Sequence, residues 1–408
     1  MRKLFVVLCL LISSQLFAIT NSYETFSSRS LSMGHTGVAS AQQSDVFISN
    51  PALFSFSEYF IKVPSFYMSV YNVKELAKPG GFLETLYDNP LRNFDQASEV
   101  AISLLESIKS GEGKLLSTGL SFATATGSIG LAFDNSLDIN TLGSGYTASS
   151  LVLEENSSLS LALSIPFFYN DHKISFGFGM KFNYRMITST ENGNTGYSID
   201  KVLEILRSDN KFEPLLNTIP VLSGFSIPIN LGMTLEYSNN LRLGLSLMNL
   251  LDTQHMNEFP GLNQLYYSLT GSQLEGEDLP SFSQGHYVSF SNPASLNFGL
   301  YYQADNKGFS KILRPGIAFD YVDILGLLQS KINTEEILKR TRLGVELSII
   351  NFVDIRAGLS GGYFSFGLGV DFMLFRLDAI YAIEEYGETL GDKPVDQLAI
   401  KFTLGYDI

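Results

Sequence analysis

Gly358-Leu359-Ser360-Gly361-Gly362 fits G-x-S-x-G, the turn that presents a serine nucleophile. That turn needs a strand before it and a helix after it, so that the hydroxyl stands exposed on a sharp bend. Here alternating apolar residues flank it on both sides, and the segment reads as a glycine turn between strands. His35, His172, His255 and His286 share no metal-ligand spacing, and three of them fall in predicted turns or loops. Gly367-Leu368-Gly369 lacks the third glycine and the following helix of a nucleotide fingerprint. Nothing assembles a nucleophile, a base and an orienting group. The sequence therefore predicts no enzyme, no metal and no cofactor.

Two arginines carry a different chemistry. A guanidinium offers a planar fork of donors that matches a carboxylate. If the turn after Ile350 is tight, Glu346 and Arg356 face one another on adjacent strands, a mildly stabilising pair. By the same reasoning Asp371 and Asp378 oppose one another, with Arg376 diagonal to them. Arg356 and Arg376 thus have two readings: contacts for a ligand carboxylate, or members of a salt-bridge lattice holding a plug to a wall. The lattice is the default.

The elements that place these residues follow from composition and period. The chain has 408 residues, 45% hydrophobic, 17% charged and 12% aromatic, with one Cys and no Trp. Its charged fraction is below the roughly 25% usual in soluble domains. A net charge of -14 argues against nucleic acid, whose phosphates it would repel. Met1-Arg2-Lys3, the apolar run Leu4 to Ile12 and the approach to Ala18 read as an export signal over 1–18. Removing that segment leaves 25 Lys and Arg against 41 Asp and Glu, a net charge of -16. It also removes Cys9, so the exported protein needs no disulfide.

Beyond it the strongest signal is alternation. Ile174, Phe176, Phe178, Met180, Phe182, Tyr184 and Met186 alternate with Ser175, Gly177, Gly179, Lys181, Asn183 and Arg185. Comparable runs begin at Phe225, Phe364 and Leu398. Each is about twice the typical strand of roughly 5 or 6 residues. A tilted strand crossing a bilayer needs about 9 to 11. The opposite phase holds Lys181, Arg185, Glu236, Arg242, Asp320, Arg342, Glu346, Arg356, Asp371, Arg376, Asp378 and Lys401. Those charges are costly against lipid and ordinary in a wet lumen.

Strands are predicted near 59–71, 114–125, 127–138, 149–166, 173–188, 223–237, 241–251, 294–304, 310–323, 340–350, 352–360, 362–374, 375–385 and 395–408. The fold class is all-β: a transmembrane antiparallel barrel of about 14 strands. Tight turns alternate with long connections over 72–113, 139–148, 189–222, 252–293 and 324–339, the asymmetry of an outer-membrane barrel. Helical period marks three long loops: Leu91 to Ile108, Ile199 to Leu206, and Glu335 to Arg340 with Thr334 as N-cap.

Between the signal and the first strand, Ser28 to Ala41 and Ser44 to Ser49 lead to Asn50-Pro51-Ala52. Small residues dominate, which predicts a compact coil. This segment resembles the N-terminal hatch of the FadL family of outer-membrane long-chain fatty acid transporters. Echoes recur in Gly244 to Leu250, Pro293 to Leu300, Leu343 to Glu346 and Ile355 to Gly358. The resemblance implies a hatch over 19–56 gated at Asn50, Pro51 and Ala52, and a barrel over 57–408. It further implies passive uptake of long-chain fatty acids or other small hydrophobic molecules, in the outer membrane of a diderm bacterium and among its lipids. Release is lateral, beside a kinked third strand, where Asp134-Asn135 is the candidate. Relatives with the same hatch also act as export-system partners. A PorV-like scaffold, holding a surface or export protein without transporting anything, is therefore the rival expectation.

Overall fold

The computed structural model describes residues 26–57, 59–78, 84, 113–142, 150–170, 172–188, 197–198, 219–238, 240–271, 287–304, 308, 312–350, 352–372, 374–387 and 389–407. The signal segment 1–18 and the helical stripes over 91–108 and 199–206 lie outside them.

Fourteen antiparallel staves close into one barrel. The first five are β1 (Phe60–Tyr71), β2 (Gly113–Thr126), β3 (Ile129–Leu142), β4 (Ser150–Tyr169) and β5 (His172–Thr188). The next three each consist of two segments. β6 joins Val221–Ser226 to Ile229–Ser238, β7 joins Leu241–Leu250 to Thr253–Phe259, and β8 joins Tyr287–Ser291 to Ser295–Gln303. The last six are β9 (Leu313–Tyr321), β10 (Thr341–Ile349), β11 (Val353–Ser360), β12 (Tyr363–Asp371), β13 (Phe375–Glu385) and β14 (Pro394–Asp407). β1 pairs with both β2 and β14, which leaves no open edge. Closure is what lipid demands, since it offers no partner to an unpaired strand.

The side chains are arranged inside out relative to a soluble β-protein. Phe176, Phe178 and Phe182 of β5 are exposed, as are Phe364, Phe366 and Leu368 of β12 and Leu398, Ile400 and Phe402 of β14. Lys181, Asp320, Glu346, Arg356, Asp378 and Lys401, on the other phase, are buried. Apolar residues thus face outward and charges inward, the pattern of a barrel in a bilayer. Among the described residues no helix is long and apolar enough to cross a membrane.

Two boundaries differ from expectation. The stretch 252–293, read as one long connection, contains the outer segments of β7 and β8 and a helix, Leu262–Thr270. The alternation is interrupted there by Asn249 and Leu251, both with positive φ, and by Asn292-Pro293, so the strands are broken rather than ended. The connection over 324–339 holds two helices, Ile324–Gln329 and Thr334–Lys339, and the N-cap of the second is Asn333, not Thr334: Asn333 accepts from the Glu336 amide at 2.8 Å.

Residues 26–57 fold inside the barrel as short helical turns: Ser28–Ser32, Gln43–Asp45, Val46–Ser49 and Pro51–Phe56. They rest on a belt of wall glycines. A Cβ at Gly130 would lie 2.7 Å from the Phe47 and Phe54 rings, and one at Gly344 would lie 2.6 Å from the Met33 carbonyl. At Gly177 it would collide with the Ala52 amide, at Gly244 with the Val38 carbonyl, and at Gly358 with the Gly34 amide. The glycines on the polar phase therefore admit plug backbone to the wall, where a side chain would hold it off.

Candidate functional site

Asn50-Pro51-Ala52 forms a cap. Asn50 is fully buried and is the N-cap of Pro51–Phe56, accepting from the Ala52 amide at 3.1 Å. Proline suits the first helical position, where no amide is needed. The Asn50 Nδ2 donates to the Val38 carbonyl at 2.8 Å and lies 3.4 Å from the Met233 and Leu245 carbonyls. One side chain thus joins two parts of the plug to β6 and β7. Ala52 is also fully buried, against Gly177.

A lattice of buried charge holds the opposite side of the plug. Arg29 donates through Nε and one terminal nitrogen to Glu346, both at 3.0 Å, and to the Ser40 carbonyl at 2.7 Å. Ser28 donates to Asp378 at 3.1 Å. Glu346 stands opposite Arg356 in the β10–β11 ladder, the pairing expected from a tight turn after Ile350. Arg356 meets Glu346 at 2.6 Å, Asp354 at 2.7 Å and Asp378 at 3.0 Å. Arg376 meets Asp354 at 2.5 Å, Asp378 at 3.1 Å and Asp371 at 3.6 Å. The expected facing of Asp371 and Asp378 does not occur. The short turn after β12 sets Asp371 opposite Arg376, and Asp378 opposite Gly369. This register replaces a like-charge contact with an ion pair. Both arginines named from sequence are therefore surrounded by wall carboxylates.

Asp134 and Asn135 sit in an unbroken ladder, opposite Ser121 and Leu120 of β2 and Ser158 and Ser157 of β4. No shift of register falls at this pair. Asn135 instead donates to Ser157 at 2.9 Å. The wall is interrupted elsewhere, at Ile227-Pro228, Leu251-Asp252 and Asn292-Pro293-Ala294 of three adjacent staves. Side chains mend that break: Asn230 accepts from the Asn249 amide at 2.9 Å, and Asn292 donates to Asp252 at 2.7 Å.

Directly behind the break, between wall and plug, lies a chamber of about 490 Å³. Val38, Phe47, Ile48 and Met248 give it apolar surface, while Lys181, Asp252 and Arg342 give it charge. Toward the long-loop end Val152, Ile187, Leu222 and Met256 form a buried apolar cluster. A second chamber of about 440 Å³ lies at the short-turn mouth, lined by Phe56, Lys173, Glu236, Arg242, Tyr301 and Arg314. The plug separates the two.

Sequence reasoning missed Arg29, Lys173 and Arg314. Lys173 and Arg314 do occupy the polar phase of their strands, which was the available signal. Arg29 is a lone cation in a serine-rich coil, and only its wall partner shows what it does. Ser360 ends β11, and Gly361 and Gly362, both with positive φ, lead straight into β12. The serine motif is a hairpin turn, with no helix after it. Among the described residues no group of acidic, His and Cys side chains could hold a metal ion.

No family model and no curated protein matches the sequence. Solved structures do. The Pseudomonas putida toluene transporter TodX aligns over 95% of this chain and 99% of its own, with 10% identity and a TM-score of 0.46. A Pseudomonas aeruginosa FadL homologue aligns over 94% and 99%, with 12% identity and a TM-score of 0.46. The Ralstonia pickettii toluene transporter TbuX aligns over 94% and 99%, with 10% identity and a TM-score of 0.47. The chain is similar in fold to FadL-type barrels. Likeness at this level says nothing about cargo.

Proposed function

We propose that this chain is an outer-membrane passage for small amphipathic molecules, long-chain fatty acids among them, closed at rest by its hatch. The observation that supports it is a chamber of about 490 Å³ against the plug, within the roughly 300–1,000 Å³ typical of small-ligand pockets. Its lining is mixed. Apolar Val38, Phe47, Ile48 and Met248 suit a hydrocarbon chain, and the charged groups, Lys181 and Arg342 with Asp252, Asp320 and Asp323, suit a polar head. A bare hydrocarbon would match only the apolar part of this lining. An amphipath is the better fit.

Entry is from the long-loop end, and movement is downhill, since no energy-coupling motif is present. Asn50-Pro51-Ala52 is the natural gate because it bridges plug and wall beside this chamber. Lateral release belongs to the break across β6, β7 and β8 rather than to β3. Where backbone pairing is already mended by Asn230 and Asn292, the wall needs the fewest bonds broken to part. Arg356 and Arg376, with three carboxylates each, act as anchors of the lattice and not as ligand contacts.

The lattice also favours a second reading. A lumen filled with plug and paired charge is what a non-transporting scaffold would have, its long loops holding a surface or export protein. Native mass spectrometry of the protein purified in mild detergent separates the two. A bound amphipath that is lost in Ala52→Leu supports uptake. An empty barrel retained with a protein partner supports the scaffold.

A further inference from the structure

The chamber at the short-turn mouth has a charge balance unlike the rest of the lumen. Lys173 at the foot of β5, Arg242 at the foot of β7 and Arg314 at the foot of β9 share it with one carboxylate, Glu236. Three cations therefore face one acid in a chain whose net charge is -14. Elsewhere the buried arginines are neutralised: Arg29, Arg356 and Arg376 each meet a carboxylate within 3.0 Å. Here they are not. Arg242 comes no nearer than 3.9 Å to Glu236, and its buried Nε has no hydrogen-bond partner. Arg314 donates to the Ala304 carbonyl at 3.4 Å, and Lys173 donates to the Ser55 carbonyl. Among the described residues neither forms an ion pair.

Lys173 and Arg242 also stand over the same ring, each 4.1 Å from the centre of Phe56 in the plug. The ring face offsets part of their charge, and yet two cations on one ring repel each other unless an anion joins them. Lys173, Arg242 and Arg314 are half-buried at this mouth, and cations crowded together with a single acid favour an anion that joins them. All three cations lie on the lumen-facing phase of their strands, so the missing partner comes from inside the barrel or from its aqueous mouth. Phe56 and Leu241 offer it apolar contact beside the charges.

We infer that this chamber is an anion site, taking the carboxylate of a small molecule on the short-turn side of the hatch. The inference rests on the uptake reading, for which it supplies the exit: a carboxylate that has passed the plug meets a concentrated positive field. The carboxylate joins Lys173, Arg242 and Arg314, where Glu236 reaches only Arg242, at 3.9 Å.

Titration calorimetry on the full barrel in non-ionic detergent tests it, with octanoate, octanol and inorganic phosphate as probes. Octanoate is expected to bind and octanol not. The double variant Lys173→Met, Arg314→Met is expected to weaken octanoate by at least about tenfold, or 1.4 kcal/mol. Glu236→Gln is expected to tighten it, a gain that misfolding cannot mimic. Arg340→Met, at the long-loop end, serves as the control that leaves binding unchanged. Octanoate binding indifferent to the double variant and to Glu236→Gln overturns the site. Phosphate binding in octanoate's place overturns the carboxylate assignment. A site that behaves as expected, in a barrel whose fatty acid uptake ignores Ala52→Leu, leaves the anion site standing and removes the uptake reading instead.

Discussion

Gly177 shows how a single residue type decides whether the plug can seat. Its lumen face touches the Ala52 backbone, so any side chain must push plug or wall aside. Overpacking of this kind costs roughly 1–3 kcal/mol. Gly177→Val is therefore expected to leave the barrel closed and to loosen the plug. Limited trypsinolysis checks this, because Arg29, which is buried in the lattice, would become cleavable while the barrel kept its heat-modifiable mobility in detergent gels. Unchanged protection of Arg29 would mean that the glycine belt is not what seats the plug. Asn50 works at the same scale, since its amide satisfies backbone groups that burial has cut off from water.

Among the elements, β6, β7 and β8 stand apart because each is interrupted at one height. Amides around Asp252 and Asn292 are expected to exchange with deuterium faster than those of 159–165 in β4, which pair without a break. Equal protection would remove the reason for placing lateral release there. The loop helix Thr334–Lys339 carries a pH dependence of known sign. Glu335 is held below its ordinary pKa by the Leu390 amide and by Lys339, and Glu336 by its hydrogen bond from Arg340. Lowered carboxyl values mean that docking is complete above the ordinary carboxylate range and is lost as pH falls through the lowered values. Hydrogen exchange of 334–340, corrected for intrinsic rate, should show full protection at about pH 6 that declines only as pH is taken below the ordinary carboxylate value. Protection that stays flat over that fall in pH contradicts the assignment. Asn333→Ala removes the cap and is expected to cost the helix about 1 kcal/mol, read in the same exchange experiment.

For the whole molecule the decisive property is that the plug lies between two chambers. The full protein is expected to be silent in planar bilayers. Deleting residues 26–57 removes Arg29 and the glycine-seated turns together, and should produce steady ion conductance. A deletion variant that inserts but stays silent would show that side chains alone fill the lumen, which favours the scaffold. Net charge enters here as well: a strongly acidic barrel with a cationic mouth sets up a field that draws anions toward that mouth.

Strand number, strand direction and the outward face were legible from residue order alone. Alternation is a local property: Ile174 through Met186 can bury one phase only by exposing the other, and lipid makes the apolar phase the exposed one. The Glu346–Arg356 pairing was legible for a similar reason, because a two-strand hairpin with a tight turn has one register. What lay beyond reach depends on residues far apart in the chain. That Gly177 and Gly358 accept plug backbone, that Arg29 belongs to Glu346, and that Asp371 meets Arg376 follow from closure of the barrel around the plug. So does the assembly of Lys173, Arg242 and Arg314, from three different staves, around a ring of the plug. Sequence period specifies which way a side chain points. Only the closed barrel specifies what it meets there.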